Sequence, residues 1–269
     1  MTTYLDRIVA AHRAAALDDH RDVGDLAEAA ERAESGRGFT AALAGPGLAV
    51  VAEVKRRSPS KGELAPDLDP ALLAGSYVAG GAACLSVLTD EEWFGGSRAD
   101  LQAARAAVPV PVLRKDFTVS DADVCDARLM GADAVLLIVA ALQQDELARM
   151  HELAVEIGLD VLVEVHDDDE VRLALEVGAT CIGVNQRDLL TFEVDPDRAA
   201  RLRPLIPDEV VAVAESGIGG PADAARAAAH GYDAVLVGES LVRSGDPEGA
   251  ARALVDAGAV THPEPLRFE

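Results

Sequence analysis

Lysine is rare in this chain and stands only at Lys55, Lys61 and Lys115, although lysine and arginine together total 24. Arginine therefore supplies nearly all of the positive charge. One interpretation is mutational bias with chance survivors. The other is that these positions require a compact ammonium group whose pKa the protein can tune, which a guanidinium group cannot provide. The place of each lysine in the fold decides between the two.

Glutamates accompany two of these lysines where short apolar segments end. Glu53 precedes Lys55 by two residues, and Glu164, Glu215 and Lys115 each lie at the end of another apolar segment. Residues two apart on a strand point to the same side, so Glu53 and Lys55 would face one substrate group. Buried charges are costly unless they are paired, and paired networks have the shifted pKa values of acid/base catalysts. The pattern predicts acid/base chemistry, with a helix N-cap or an exposed strand tip as the alternative for any single carboxylate.

Small residues follow two more apolar segments. Ser216 and Gly217 follow one, and Gly238 and Glu239 follow the other. Glycine lets the backbone approach a phosphate, and a following helix offers free N–H groups. The pattern predicts a phosphate site, with plain tight turns as the alternative. A carboxylate repels a phosphate, so we expect Glu239 to turn its side chain away and contribute only its backbone N–H.

Eight apolar segments alternate with helical pattern and must position these residues. The predicted strands lie within residues 50–55, 81–88, 112–115, 131–138, 161–165, 178–185, 210–215 and 231–238. Eight such units in about 250 residues favour the α/β class and a closed (β/α)8 TIM barrel, whose active site lies at the carboxyl ends of the strands. An open Rossmann-like sheet is the weaker alternative, because no GxGxxG follows the first strand.

The first 48 residues are predicted to form an N-terminal helical extension. Thr3 is placed to cap a helix over residues 4–17, and Asp22 to cap a second one that ends near Ala33, before several glycines break the pattern. This segment is too short for a core of its own and is expected to pack on the barrel. We therefore expect residues 1–269 to form a single domain.

Composition narrows the possible partners. The net charge of −23 argues against nucleic acid and anionic membrane surfaces. The sequence lacks a basic, apolar leader and any apolar stretch long enough to span a membrane. Cys84, Cys125 and Cys181 have no CxxC spacing and are interpreted as buried free thiols of a reducing compartment. These features predict a soluble cytoplasmic protein, and we expect a monomer, with a weak dimer as the alternative.

Metal and cofactor motifs are not apparent in the sequence. The six histidines show neither HExxH nor His-x-His spacing, and His166, beside Glu164, is interpreted as structural. Lys61 lies in the loop after the first strand, either as a solvated charge or on a mobile lid. Trp93 and Phe94 follow the second strand and either contact substrate or pack at the rim. The residues thus predict metal-free acid/base chemistry, without a cofactor, on a small anionic phosphate ester.

The chain resembles the indole-3-glycerol-phosphate synthase family over nearly its whole length. The resemblance rests on residues 53–62 (EVKRRSPSKG), 113–117 (LRKDF), 135–139 (VLLIV), 164–166 (EVH), 183–189 (GVNQRDL) and 214–218 (AESGI). It implies a lyase of tryptophan biosynthesis that acts on 1-(2-carboxyphenylamino)-1-deoxyribulose 5-phosphate. Ring closure, decarboxylation and dehydration of this compound would give indole-3-glycerol phosphate.

The resemblance also implies a role for each site residue. Lys115 would be the general acid at the ribulose carbonyl, Lys55 would pair with the departing carboxylate, and Glu164 would move protons in the dehydration. Glu215 would orient and tune the lysines. The remaining implied contacts are Glu53 and Asn185 with sugar hydroxyls, Arg187, Ser216, Gly217 and Gly238 with the phosphate, Ser58 with the site lining, and Phe117 and Leu136 with the aryl ring. Glu239 departs from the serine that many relatives have at this position, so only its backbone would contact the phosphate.

Two other classes remain open from the residues alone. An isomerase or a Schiff-base aldolase on a related phosphosugar could use the same barrel, and Lys115 could then be the Schiff-base lysine. A non-catalytic binding barrel is disfavoured, because binding alone does not need a proton donor and a proton acceptor on opposite sides of the rim.

Overall fold

Eight parallel strands close into a barrel in the computed structural model, which describes residues 3–59, 61–188 and 191–259. Each strand pairs with its neighbours in sequence, and β8 pairs with β1 to close the sheet. The predicted TIM barrel is confirmed and the open sheet is wrong. The barrel strands are β1 (Ala49–Val54), β2 (Cys84–Leu88), β3 (Val112–Lys115), β4 (Ala134–Ile138), β5 (Asp160–Val165), β6 (Cys181–Asn185), β7 (Val211–Glu215) and β8 (Ala234–Val237).

Helices surround the barrel and occupy both of its ends. They are α1 (Tyr4–Leu17), α2 (Val23–Glu31), α3 (Phe39–Leu43), α4 (Pro70–Ala79), α5 (Glu91–Phe94), α6 (Arg98–Ala107), α7 (Asp121–Leu129), α8 (Gln144–Glu156), α9 (Asp168–Glu176), α10 (Arg198–Leu202), α11 (Pro221–Ala229), α12 (Glu239–Val242) and α13 (Pro247–Ala259). Two 3₁₀ turns, Val139–Ala141 and Arg203–Leu205, and a short hairpin of Arg57–Ser58 and Gly62–Glu63 complete the fold.

The N-terminal extension contributes to both ends of the barrel. Thr3 caps α1 as predicted, in a reciprocal capping box with Asp6. Asp22 caps α2, which ends at Glu31 rather than near Ala33. The glycine-rich stretch that follows was expected to be irregular, yet it includes the five-residue helix α3. Phe39 and Leu43 of α3 are fully buried and close the end of the barrel opposite the strand carboxyl ends.

Two layers of core follow from the alternation of side chains along each strand. Val50 and Ala52 of β1 face the surrounding helices, whereas Val51 faces the barrel interior. Cys84, Leu113, Leu136 and Cys181 fill that interior together with α3. This apolar layer ends below the carboxyl ends of the strands, so the polar residues there rest on a packed floor.

The structure bears on two predictions about the whole chain, a single domain and the lack of a membrane span, only for the residues it describes. Residues 260–269 lie outside the described part, so a single domain over residues 1–269 stays a prediction. Among the described helices, none combines the length and the apolar character that a membrane crossing requires.

Candidate active site

A cavity of about 660 Å³ opens at the carboxyl ends of the strands. Its size is typical of a small-molecule site. Of the fourteen residues predicted for the site, thirteen line it. They are Glu53, Lys55, Ser58, Lys115, Phe117, Glu164, Asn185, Arg187, Glu215, Ser216, Gly217, Gly238 and Glu239.

Leu136 is the predicted site residue that the structure places elsewhere. It is 1% exposed and lies in the apolar layer inside the barrel. Ile138 lies two residues further along β4, on the same face but one layer nearer the rim, and it lines the cavity instead. Leu136 is thus not a cavity-lining residue, and the position expected for it is occupied by Ile138.

Lys115 and Glu164 face each other across the floor of the cavity. Lys115 Nζ lies 3.5 Å from Glu164 Oε2, and Glu164 is 1% exposed. Burial by itself lowers the pKa of Lys115, but the carboxylates of Glu164, Glu215 and Glu53 outweigh it and raise this pKa. Lys115 is accordingly held as a cation that can donate a proton when negative charge develops nearby.

Glu164 is held as a carboxylate by its partners. Burial raises its pKa, but the charge of Lys115, together with His166 and Asn185, lowers it well below the usual range. Asn185 Nδ2 donates a hydrogen bond to Glu164 Oε1 at 3.0 Å. His166 Nε2 lies 3.4 Å from the same oxygen without hydrogen-bond alignment, while its Nδ1 contacts Glu170 at 3.0 Å.

His166, which the sequence suggested to be structural, thus lies directly beside Glu164 on the cavity floor. Burial lowers its pKa, but contacts with Glu164 and Glu170 outweigh this effect and raise the pKa to about 9. A cationic His166 adds to the positive charge that keeps Glu164 ionised. The interpretation of His166 as a structural residue stays a prediction.

Glu215 differs from Glu164 in its protonation. Burial, followed by repulsion from the Glu164 carboxylate, raises the pKa of Glu215. Its Oε1 is buried without a hydrogen-bond partner, and it occupies the space that a side chain at position 183 would need. Glycine at position 183 therefore leaves room for this carboxyl group. The cavity floor holds one ionised and one more readily protonated carboxyl group beside a single lysine.

Glu53 and Lys55 form a second charged pair on the same cavity wall, as their spacing predicted. Lys55 Nζ donates to Glu53 Oε1 at 2.5 Å, and Ser86 Oγ lies 3.5 Å from Glu53 Oε2. The backbone of Gly238 passes directly beside this pair. Since β8 pairs with β1, the loop after β8 lies next to the charged residues at the end of β1.

Gly238→Ala is expected to lower kcat/KM by about ten- to a hundredfold, the effect of misplacing reacting groups by roughly 1 Å. A Cβ atom at this position would overlap Glu53 Oε1 and lie 3.1 Å from Lys55 Nζ. Steady-state kinetics measure the loss. Gly75→Ala is the matched control, because a Cβ there meets nothing within 4 Å and the variant should retain wild-type kinetics. Unchanged kinetics in Gly238→Ala would contradict the close approach.

The loops after β7 and β8, for which the sequence predicts a phosphate site, form a cradle of small residues next to these charged pairs. Ser216 and Gly217 both have positive φ, 62° and 73°, which turns the chain sharply toward the cavity. Gln186 Nε2 holds the Ser216 carbonyl at 2.8 Å, and Ser240 Oγ donates to the Ile218 carbonyl at 3.0 Å, which ties the two loops together. Neighbouring backbone N–H groups in such turns attract anions.

Cations surround the cradle and offset the charge of Glu239. Lys61 Nζ lies 4.0 Å and Arg243 Nε 3.9 Å from Glu239 Oε1. Arg187 also lines the cavity, with its guanidinium hydrogen-bonded to the Phe192 carbonyl at 3.0 Å. The expectation that Glu239 turns away from an anion stays a prediction, but these cations reduce the repulsion it would cause.

All three lysines of the chain line this cavity. Their common location favours a functional need for ammonium groups over chance survival. Lys61 lines the cavity with its side chain 48% exposed, so a solvated charge and a lid residue are both consistent with its place. Whether its loop moves as a lid stays a prediction.

Aromatic side chains build one wall of the cavity. Phe94 and Phe117 both line it, with ring centroids 6.3 Å apart. Trp93 packs instead against Tyr4 of α1, at 5.2 Å between ring centroids, and does not line the cavity. Of the two possibilities for these aromatics, rim packing therefore holds for Trp93 and cavity contact for Phe94.

Several lining residues were missed by sequence reasoning. Tyr4, Leu5 and Ile8 of α1 form an apolar wall, Phe192 comes from the loop after β6, and Ser240 comes from α12. The apolar residues of α1 at positions 4, 5 and 8 follow helical spacing and were a usable signal for packing, but not for the end of the barrel they cover.

Comparison with known proteins places the chain in a family. The family model for indole-3-glycerol phosphate synthase matches residues 5–254. Proteins named indole-3-glycerol phosphate synthase from Nocardioides sp., Streptomyces coelicolor and Rhodococcus jostii are 60%, 53% and 51% identical to it. The alignments cover 77%, 94% and 97% of this chain and 80%, 95% and 97% of those proteins.

Solved structures share the fold at much lower identity. Thiamine phosphate pyrophosphorylase from Pyrococcus furiosus has a TM-score of 0.62, with 17% identity over 80% of this chain and 96% of that one. For 3-hexulose-6-phosphate synthase from Salmonella typhimurium the TM-score is 0.61, with 17% identity over 80% of this chain and 100% of that one. These likenesses support the barrel and nothing finer. On the strength of the family model and its full-length relatives, the chain belongs to the indole-3-glycerol phosphate synthase family.

Proposed function

We propose that this chain is an indole-3-glycerol phosphate synthase, a carboxy-lyase of tryptophan biosynthesis. Its substrate is 1-(2-carboxyphenylamino)-1-deoxyribulose 5-phosphate. The observation that carries the proposal is one cavity that joins the Lys115–Glu164 and Lys55–Glu53 pairs to the cradle of small residues. The substrate has a matching layout, with a phosphate at one end and a carboxylated ring at the other.

Ring closure is assigned to Lys115. The ring carbon that bears the carboxylate attacks the ribulose carbonyl, and negative charge develops on the carbonyl oxygen. Lys115, cationic and buried, donates a proton to this oxygen as the carbon–carbon bond forms. Phe117, Phe94 and Ile138 line the cavity and hold the aryl ring against the carbonyl.

Decarboxylation restores the aromatic ring. The carboxylate leaves as CO₂, and its bonding electrons return to the ring. Lys55 pairs with the carboxylate before it leaves, while Glu53 holds the Lys55 ammonium in place at 2.5 Å. This assignment gives the substrate carboxylate a specific cation, which a phosphosugar isomerase would not need.

Dehydration completes the reaction. The hydroxyl on the former carbonyl carbon leaves as water after protonation by Lys55, which is free to donate once CO₂ has left, and the neighbouring carbon loses a proton to form the indole double bond. Glu164 accepts that proton, because its lowered pKa keeps it ionised. Glu215 tunes the pKa of Lys115 from the cavity floor. Asn185 and Glu53 contact the sugar hydroxyls.

Phosphate recognition is assigned to the loops after β6, β7 and β8. Backbone N–H groups of Ser216, Gly217 and Gly238 and the side chain of Arg187 hold the phosphate, with Ser58 beside it. Ser240 and Arg243 join this set because they line the same end of the cavity.

Incubation of the purified protein with the carboxyphenylamino substrate is expected to produce an indole chromophore, and a chelator should not abolish it. Ultraviolet absorbance and fluorescence follow the product. Absence of turnover at saturating substrate would refute the proposal.

A Schiff-base aldolase remains the alternative mechanism for the same cavity. Such an enzyme requires a neutral lysine, whereas the surrounding carboxylates raise the pKa of Lys115 and keep it charged. Borohydride treatment in the presence of substrate should therefore leave no adduct. A stable lysine adduct found by mass spectrometry would favour the aldolase.

We also propose a cytoplasmic, monomeric protein, with a weak dimer as the alternative state. The three cysteines are free and buried, as expected in a reducing compartment. Sedimentation or light scattering of the purified protein measures the oligomeric state.

A further inference from the structure

His12 connects helix α1 to two loops at the cavity rim. Its Nε2 lies 2.8 Å from Asp90 Oδ2 and 4.0 Å from Asp116 Oδ1. Asp90 follows β2 and Asp116 follows β3, so one side chain of the N-terminal extension joins two strand-end loops. The His12 side chain is 21% exposed and both carboxylates are buried. The proposed chemistry assigns no role to any of the three.

The same two carboxylates fix the aromatic wall of the cavity. Asp90 Oδ1 caps α5 by accepting from the N–H groups of Trp93 at 2.5 Å and Phe94 at 3.3 Å. Asp116 Oδ1 accepts from the Phe117 N–H at 2.9 Å. The His12 ring also packs against the Phe117 ring, with centroids 5.7 Å apart.

We propose that His12 is a positioning residue, which fastens α1 over the cavity and holds Phe94 and Phe117 in place for the substrate's aryl ring through Asp90 and Asp116. The part that concerns the aryl ring rests on the proposed function. The part that concerns docking of α1 depends only on the contacts. His12 does not touch the cavity, so it acts through the two aromatic residues that do.

These three residues also form, within the described part of the chain, a group with metal-ligand spacing. A bound cation is disfavoured because the Arg114 guanidinium already pairs with Asp116 Oδ2 at 3.0 Å. Thr89 Oγ1 also hydrogen-bonds to that oxygen. A divalent ion at this group would have to lie close to the Arg114 guanidinium, which would repel it. Protonated His12 instead neutralises the charge of Asp90, the carboxylate that Arg114 does not pair with.

Protonation of His12 should control this connection. Burial lowers its pKa, but the hydrogen bond to Asp90 and the charges of Asp116, Asp90 and Asp123 outweigh this effect and raise it. Arg114 is the opposing cation in the cluster. Because the pKa is higher in the folded state, the stabilisation is fully present below the unfolded value of about 6.5 and is lost as the pH rises through the folded value. Docking of α1 should therefore weaken toward alkaline pH.

Trp93 offers a direct measurement of docking, because it is the one tryptophan of the chain and packs against Tyr4 of α1. We expect its fluorescence to titrate with a midpoint above about 6.5 in the wild type. His20→Gln, which alters an exposed histidine just after α1, should titrate identically. His12→Gln and His12→Ala should remove the transition. A wild type without this transition, or the same transition in His12→Gln, would overturn the proposal.

Kinetics test the link to the aryl ring. His12→Ala should raise KM for the carboxyphenylamino substrate by about tenfold, near the lower end of the range for loss of a hydrogen bond to a charged group, with a smaller change in kcat. His12→Gln keeps a hydrogen-bond donor for Asp90, so its KM should stay close to the wild-type value at neutral pH. We expect KM of the wild type to rise at alkaline pH and KM of His12→Gln to stay constant. Unchanged KM in a folded His12→Ala variant would overturn this role. The fluorescence measurement does not depend on turnover, so failure of the proposed function and failure of this inference are distinguishable.

Discussion

Lys115→Ala is expected to lower kcat by about 10²- to 10⁴-fold, the range for loss of a general acid that also stabilises a developing oxyanion. Lys115 provides the cation opposite Glu164, and Lys55 is already engaged by Glu53. Without Lys115, Glu164 and Glu215 face each other with less compensating charge, and one of them should take up a proton. Single-turnover kinetics with pre-bound substrate isolate the chemical step from binding.

Two further variants separate the chemistry from the charge. Lys115→Arg keeps a positive charge but replaces the ammonium group with a guanidinium that does not release a proton near neutral pH, so it should remain severely impaired. Arg172→Ala removes an exposed cation paired with Asp169 on the barrel surface and should retain wild-type kcat. Wild-type kcat in Lys115→Ala, with a native circular dichroism spectrum, would place the acid elsewhere.

Glu164→Gln is expected to lower kcat by roughly a hundredfold or more, as for other proton-transfer residues. Glutamine keeps the shape of the side chain and can still accept from Asn185 Nδ2, so the fold should be retained. The variant lacks the carboxylate that accepts the proton in dehydration. If ring closure and decarboxylation proceed without it, an intermediate that still holds the hydroxyl should accumulate, and rapid quenching with mass analysis would detect it.

Glu209→Gln is the matched control for this substitution, because Glu209 is exposed and distant from the cavity. It should leave kcat and KM unchanged. The pKa of His166 should also fall from about 9 in Glu164→Gln, since the charge that raises it is removed. An NMR titration of the histidines measures that shift. A fully active Glu164→Gln would remove Glu164 from the proton-transfer step.

The charged residues of the site could be predicted from the sequence. The local pattern of apolar residues shows where each strand ends and which face of the strand a side chain occupies. Apolar runs locate the strands, and their carboxyl ends share one rim in this fold. The alternation of side chains then placed Glu53 and Lys55 on one wall. The sequence of a short strand does not show, however, how far each inward-facing residue lies from the rim of the barrel. Leu136 and Ile138 have the same type and the same face, and the register of β4 against β5 decides which of them reaches the cavity.

The apolar wall from α1 could not be predicted in this way. Its position depends on long-range contacts such as the Arg13–Glu146 ion pair at 2.6 Å and the His12 contacts, which join residues far apart in sequence. Helix α3 was also missed, because five residues are too few for a helical period to stand out among glycines. Its buried Phe39 and Leu43 gain their helical form from packing in the barrel interior.

The concentration of all three lysines in one cavity makes this protein suited to amine-directed chemistry. An acylating reagent reacts with neutral, accessible amines, so Lys61, whose side chain is 48% exposed, should be modified before Lys115, which the surrounding carboxylates keep charged. Peptide mapping of labelled protein would therefore report on site occupancy, and protection by inorganic phosphate could be read residue by residue. Immobilisation through side-chain amines would attach the protein by Lys61 at the cavity mouth, so attachment through surface carboxyl groups is the better choice.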